Sequence, residues 1–203
     1  MSENSTAMTL HESEETDKVI RQHACMAGGA TLLFGVIPGT SLLDVASSIA
    51  ILYGMYTRIN TNMHVAFTKN KVQSIAKMVG ANILGNLAGL VLARVGMAVL
   101  RFIPGVHLAA AVVDAGINAT VIYICGIMYK NVIANLQGSG RTWTDEDVKG
   151  ALRNAMADKS KIREYKKEAK QRLKGADYSA FKAAAKEMRE SYENDPDLDK
   201  SAT

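Results

Sequence analysis

The tripeptide Ile-Pro-Gly occurs twice in this chain, at 37–39 and 103–105, each time between two long apolar segments. Proline disfavours the helical conformation of the residue before it, so each copy should end one helix and allow another to begin. Within residues 24–137 the only acids are Asp44 and Asp114, and one of them follows each copy. This pattern predicts a fold built around two apolar helical hairpins.

The predicted fold class is all-α. No segment sustains the period-two alternation of a half-buried strand, and alanine and glycine are frequent. The two halves are similar, because 54–58 resembles 126–130 at a comparable place beyond each break. We interpret this as a duplicated helix–Pro-Gly–helix unit, whose two apolar hairpins form a membrane-associated four-helix unit ahead of a charged C-terminal helical hairpin. The alternative is that two unrelated Pro-Gly turns look alike.

Charge and apolar content divide the chain into segments. Residues 138–203 carry fifteen Lys/Arg and thirteen Asp/Glu, whereas residues 24–137 carry seven basic residues and two acids. The apolar helices are predicted at about 18–36, 41–59, 71–102 and 106–136, with a turn at 60–62. The predicted organisation is a disordered acidic tail at 1–17, the apolar hairpin domain at 18–137, a Gly/Ser linker at 138–143, a basic helical hairpin at 144–194 and a disordered end at 195–203.

Small side chains recur four residues apart in each apolar helix. An interior glycine costs ~1 kcal/mol relative to alanine, so such a series needs compensation. Close helix packing supplies it, above all in membranes, where the hydrophobic drive for helix association is absent. The residues predicted to pack helices together are Gly54, Gly85, Gly89 and Ala115. The pattern favours a membrane protein that forms a homo-oligomer.

The lengths of the helices leave the depth of insertion open. A spanning helix needs ~20 apolar residues, whereas the uninterrupted apolar runs at 24–37 and 45–57 contain about fourteen each. Spanning, re-entrant and surface-docked hairpins are all compatible with this. Most basic residues of the apolar domain lie at the helix ends away from the Pro-Gly breaks. The positive-inside rule therefore predicts that both termini are cytosolic, at a membrane that we take to be the inner (cytoplasmic) one.

A few polar residues interrupt the apolar helices. An unpaired buried carboxylate is costly, so Asp44 and Asp114 should cap helices or pair with Arg94 or Arg101. The alternative is a polar path in which the acids bind an ion or a proton. Asn82, Asn86 and Asn118 carry the same two interpretations, and we expect them to form hydrogen bonds across the helix seams.

The C-terminal region is predicted to start a helix at Thr144 and to carry an apolar stripe through a basic segment. Trp143 and the basic side chains are candidates for contact with a lipid surface or a partner. The alternative is a solvated helix face. The basic candidates are Lys159, Lys161, Arg163, Lys166, Lys167 and Lys170.

No catalytic or cofactor-binding pattern is present in the sequence. The four histidines lie in different elements without metal-ligand spacing, and no phosphate loop is complete. Cys25 and Cys125 lie in apolar contexts, where a thiol usually acts as a small hydrophobic group. The net charge of +4 comes from a local basic segment, which does not indicate nucleic-acid binding. We expect a protein that is not an enzyme and needs no cofactor or metal.

Residues 20–136 carry motifs that point to a family. The motifs are 36–39 followed by Asp44 and 53–56, and then 102–105 followed by Gly126. This region resembles a bacterial family of unknown function, whose hydrophobic helical domain often accompanies Era-like small GTPases and which includes YcjF-type inner-membrane proteins. The resemblance implies a non-catalytic membrane module that works with a small GTPase in trans.

Three functions follow from these patterns. The first is a membrane-associated scaffold or adaptor that binds membrane lipid, self-associates and presents a basic cytosolic helical tail. The second is a small oligomeric channel or transporter with Asp44 and Asp114 in a polar path. The third is a soluble helical protein that binds a lipid.

Overall fold

A computed structural model describes residues 10–35, 41–86, 107–137, 143–155 and 159–174, together with positions 183 and 186. The prediction of an all-α protein is confirmed for these residues, which contain helices and no strand. The helices are α1 (Leu10–Gly35), α2 (Ser41–Asn62), α3 (Lys69–Asn86), α4 (His107–Gln137), α5 (Asp145–Ala155) and α6 (Lys159–Arg172). Both Pro-Gly breaks lie outside the described residues.

Helix α4 is the centre of the bundle and contacts each of the other five described helices. It is apolar around its whole circumference, as expected for a helix enclosed by neighbours. Its most extensive contact is with α1. The two helices are antiparallel, because Lys130 of α4 bonds to Ser13 of α1 whereas Asn118 bonds to Ala27. The strongest pairing therefore joins the two predicted halves of the chain.

Helix α2 runs parallel to α4 and antiparallel to α1. Ser48 and Asn118 are hydrogen-bonded toward the start of both helices. Near the other end the rings of Tyr56 and Tyr129 stack, with centroids 3.9 Å apart. Helices α1, α2 and α4 thus form a continuous apolar core.

The C-terminal helices cover the second half of α4. Tyr165 of α6 accepts a hydrogen bond from Asn131, and Leu173, just past the end of α6, packs against a small cluster that includes Ala115. Helix α6 is therefore antiparallel to α4 and extends along it toward the start of α4. The predicted helix start at Thr144 is confirmed: its hydroxyl accepts from the Asp147 N–H at 3.2 Å, and Asp147 accepts in return from the Thr144 N–H at 2.8 Å.

Two predicted boundaries are wrong. Helix α1 begins at Leu10 rather than near residue 18, so residues 10–17 are helical and not part of a disordered tail. Ionic contact with α4 stabilises this turn, since the Lys130 ammonium lies 2.6 Å from an Asp17 carboxylate oxygen and 2.9 Å from the Ser13 hydroxyl. Local composition gave no indication of this distant partner.

The second correction concerns residues 60–62, which continue α2 instead of forming a turn. The helix stops two residues later at His64, whose φ of 53° lies in the left-handed region. The His64 N–H donates to the Thr61 carbonyl and the Val65 N–H donates to the Asn60 carbonyl. This is the Schellman arrangement that commonly ends helices. The asparagine at 60 remains helical because its side chain accepts a buried hydrogen bond from Tyr129 at 2.9 Å.

The other ends agree with the sequence or lie outside the described residues. Helix α4 matches the predicted 106–136 within one residue at each end. Helix α3 is described over Lys69–Asn86, and the remainder of the predicted 71–102 lies outside the described residues. The predicted tail helix beginning at Thr144 is represented by α5 and α6, with 156–158 outside the described residues.

Gly126 is the point of closest approach between α4 and its two main neighbours. A Cβ at this position would lie 2.7 Å from Cγ2 of Ile20 and 3.0 Å from the sulfur of Met55. Ile20 is β-branched and almost fully buried, so it has little freedom to move away. A side chain at 126 would therefore force α1 and α2 apart.

We expect Gly126→Ala to lower the free energy of unfolding by roughly 1–3 kcal/mol, because it overpacks a close helix contact. The matched control is Gly116→Ala in the same helix, where an added Cβ would meet nothing within 4 Å. That control should be neutral or stabilising by up to ~1 kcal/mol, since it removes an interior helix glycine. Urea unfolding followed by circular dichroism measures both, and equal effects would contradict the close-approach role of Gly126.

Candidate functional site

A buried polar layer crosses the bundle where α1, α2 and α4 meet. The Asn118 amide donates to the Ala27 carbonyl at 3.1 Å and to the Thr31 hydroxyl at 2.7 Å, and its nitrogen lies 3.1 Å from the Ser48 hydroxyl oxygen. Asn118 and Thr31 are both buried. The prediction that Asn118 bonds across a helix seam is confirmed. Its two partner hydroxyls were not predicted, because no local pattern indicates which serine or threonine faces a distant amide.

Asp114 lies one helical turn before Asn118 on the same side of α4 and is 2% exposed. It makes at least one hydrogen-bond or electrostatic interaction, so it is not without a partner. The side chain of Asp44 lies outside the described residues, as do Arg94 and Arg101. The predicted pairing of these acids and arginines therefore stays a prediction.

The small residues of α4 pack against neighbouring helices of the same chain. Ala111, Ala115 and Ala119 are fully or almost fully buried and form a cluster with Leu32 of α1. Among the glycines predicted to pack helices, Gly54 makes only an ordinary contact, since an added Cβ would lie 3.8 Å from Nε2 of His23. Gly85 lies near the end of α3, but its surroundings are not among the described features. Gly89 lies outside the described residues.

His23 is a buried histidine in the core beside α2. Its Nδ1 lies 2.8 Å from the Val19 carbonyl oxygen one turn earlier, so Nδ1 carries a proton and donates to that oxygen. Burial lowers the pKa of His23 below its ordinary value of 6.5, and the charge of Arg58 lowers it further, against the effect of the Val19 hydrogen bond. His23 is accordingly a neutral core group at neutral pH.

The thiol of Cys125 lies beside Tyr56 in the same core. Burial raises the pKa of Cys125 to about 12, and the tyrosine also has a raised pKa because it is fully buried. A thiol held in its protonated form is a poor nucleophile and a poor metal ligand. In the part of the chain that the structure describes, no three His, Cys, Asp or Glu side chains lie close enough to hold a metal ion.

The exposed surface changes character along the bundle. In the half of the bundle that contains the start of α4, three large apolar side chains on three helices are exposed: Leu33 by 36%, Ile49 by 63% and Val113 by 50%. We call this surface the apolar end. The opposite, polar end carries the first turns of α1 and the start of α5, including the Lys130–Asp17 ion pair.

Basic residues surround the bundle next to the apolar end. Lys77 of α3 lines the same groove as Ile49, and three basic residues flank Leu173, which packs beside Ala115. All four basic side chains are exposed. We call this group the basic collar; its members are Lys77, Lys170, Arg172 and Lys174.

The predicted basic contact residues of the tail are exposed on α6: Lys161, Arg163, Lys166, Lys167 and Lys170. The side chain of Lys159 lies outside the described residues. Trp143 is instead held within the fold at the polar end, where its indole N–H donates to the Leu136 carbonyl at 2.8 Å and its ring meets Phe67 edge-on. This placement does not favour the predicted lipid contact of Trp143.

An apolar groove of about 680 Å³ separates α2 from α3. The residues lining it from α2 are Ile49, Ala50, Leu52 and Tyr53, and those from α3 are Gln73, Ala76 and Lys77. Among the described residues that line the groove, Lys77 is the charged one and none carries a carboxylate. This groove could not be predicted from sequence patterns, because its walls come from separate helices.

One helical segment, Ala109–Gln137 in α4, is long and apolar enough to cross a membrane among the residues that the structure describes. Of its most apolar window, 67% is buried inside the protein. A buried core helix of a soluble bundle has the same length and composition, so this observation alone is weak evidence for a membrane span.

Comparison of the chain with family models, with curated proteins and with solved structures gives no match. The resemblance to the family found beside Era-like GTPases therefore stays a prediction from the motifs themselves.

Replacing Asn118 with Ala should lower the free energy of unfolding by about 1–3 kcal/mol, because it leaves the Ala27 carbonyl and the Thr31 hydroxyl without this partner in the interior. Asn131→Ala is the matched control in the same helix. It removes a single, partly buried hydrogen bond to Tyr165 and should cost only ~1 kcal/mol. Thermal or urea unfolding compares them, and an equal cost would contradict a central role for the Asn118 layer.

The lowered pKa of His23 predicts a pH dependence of stability. The unfolded chain binds a proton at the ordinary pKa of 6.5, whereas the folded chain resists it. The stability that neutral His23 contributes is therefore complete above pH 6.5 and is lost as the pH falls below it. Urea unfolding between acidic and neutral pH should show this slope in the wild type and lose it in His23→Gln. His64→Gln, at an exposed histidine, is the control and should keep the slope.

Proposed function

We propose that the protein is a non-catalytic scaffold that docks on a membrane surface through its apolar end and presents its α6 surface to the cytosol. The observation that carries this proposal is that Leu33, Ile49 and Val113, on three different helices, are each exposed in the half of the bundle that contains the start of α4. Exposed large apolar side chains grouped in this way are typical of lipid or protein contact surfaces.

The position of α6 supports docking over spanning. Helix α6 is highly charged, and it covers α4 from Asn131 to the cluster around Ala115. Charged side chains cannot be placed in the hydrocarbon core without a large cost. The described part of α4 left free to enter lipid is 107–115, which is about 14 Å long at ~1.5 Å per residue. This is well below the ~30 Å of a hydrocarbon core.

The basic collar supports an anionic lipid surface as the target. Each basic residue near such a surface contributes ~1 kcal/mol of attraction. Because Lys77 and Arg172 lie next to the apolar end, insertion of that end would bring them to the level of the headgroups. Apolar burial and charge attraction would then act together, as they do in interfacial helices.

The scaffold part of the proposal is supported by the protonation states and partners of the described interior groups. The described titratable core groups include a neutral His23, a protonated Cys125 and Tyr56, whose pKa is raised by burial, and Asp114 is not without a partner. The exposed basic residues of α6 form a surface for a partner protein, for which the motif resemblance suggests a small GTPase. With the start of α1 and the start of α5 both at the polar end, docking through the apolar end would leave both on the cytosolic side. Self-association belongs to the same proposal.

The docking proposal predicts the behaviour of a triple variant, Leu33→Gln, Ile49→Gln and Val113→Gln. Its flotation with anionic phospholipid vesicles should fall by about tenfold or more, because insertion no longer buries three apolar side chains. The control is Ala66→Gln, an exposed position at the polar end, which should float like the wild type. Flotation of the triple variant at the wild-type level, with its helical circular dichroism retained, would contradict docking through this end.

A further inference from the structure

We infer that the groove between α2 and α3 is a binding site for one acyl chain of an anionic phospholipid, with Lys77 as the partner of the headgroup phosphate. This inference does not rest on docking through the apolar end, since a lipid could occupy the groove of a protein in solution or on a membrane.

The size and walls of the groove fit an acyl chain. Its volume of about 680 Å³ lies within the ~300–1,000 Å³ usual for small-molecule sites. Aliphatic or aromatic carbon from Ile49, Leu52, Tyr53 and Ala76 lines most of it. An unbranched hydrocarbon chain fits such walls, because it needs no hydrogen-bond partner and its burial is favourable in proportion to the area covered.

The polar residues of the groove indicate where the headgroup lies. Gln73 and Lys77 are one turn apart on α3, so they share one side of the groove opposite α2. Lys77 is exposed, and no described residue pairs with its ammonium group. A lysine ammonium binds phosphate as a compact point charge, and the absence of a carboxylate in the lining leaves that charge uncompensated. A zwitterionic headgroup offers the same phosphate, but its own cation lies beside the phosphate and offsets the attraction to Lys77.

The position of Ile49 in the groove agrees with the placement of the headgroup phosphate beside Lys77. Ile49, at one edge of the groove, is also a member of the apolar end, so the groove is continuous with the most apolar part of the surface. An acyl chain lying against Ile49 and Ala50 would leave the phosphate beside Lys77. The lipid would thus cross the boundary between the apolar end and the basic collar.

The experiment is native mass spectrometry of the full chain after incubation with phosphatidylglycerol or with phosphatidylcholine of the same acyl chains. We expect one bound phosphatidylglycerol per chain and roughly fivefold lower occupancy by phosphatidylcholine, because the choline cation offsets the attraction between Lys77 and the phosphate. Ala50→Trp fills the groove from an exposed position and should abolish binding of both lipids. Lys77→Gln should keep lipid binding but lose the preference for phosphatidylglycerol.

Lys166→Gln is the matched charge control, since it removes an exposed lysine from α6, away from the groove. It should bind like the wild type. Unchanged lipid occupancy in folded Ala50→Trp, an unchanged preference in Lys77→Gln, or a dimer that excludes lipid would each overturn the inference. Vesicle flotation of the same variants separates the two proposals, because Ala50→Trp should still float when docking through the apolar end is correct.

Discussion

The close approach of α4 to α1 and α2 at Gly126 is the contact on which the rest of the structure depends. A hydrogen atom in place of a side chain brings Ile20 and Met55 against the backbone of α4. That separation allows Tyr56 to stack on Tyr129 on one side and the Asn118 amide to reach Ala27 and Thr31 on the other. Interior packing at this density tolerates little change in volume, so the aromatic stack and the polar layer are coupled through the same contact.

The interior and the surface of the bundle have separate roles. Buried polar groups such as Asn118 and His23 are satisfied by neighbours, and they specify how the helices are aligned rather than offering reactive chemistry. The surface carries the features that can bind something else. Exposed apolar residues gather at one end, basic residues lie beside them, and a groove with a single lysine runs between α2 and α3. A lipid surface and a lipid molecule use the same combination of apolar carbon and positive charge.

Several elements could be predicted from sequence, and others could not, for identifiable reasons. Helix α4 was predicted within one residue at each end, because a long apolar run and a proline stop are local signals. The start of α1 was predicted too late, since the turn at Ser13 and Asp17 depends on Lys130, more than a hundred residues away in sequence. Gly54 and Gly126 are similar in sequence context, yet only Gly126 lies where a Cβ would clash. The spacing of small residues in the sequence identifies candidates for close helix packing. The position of the neighbouring helix determines at which of them a side chain would clash.

The sequence by itself determined the all-helical class, the apolar character of α4 and the separation of charge from the apolar domain, because each depends on residues within a few turns of one another. The tertiary structure alone decided that α6 lies along α4 from Asn131 toward Ala115, that Trp143 is held at the polar end, and that Leu33, Ile49 and Val113 are each exposed. It also decided that Lys77 faces a groove whose other wall belongs to α2. These features join residues far apart in the chain, and the packing of one helix on another brings them together.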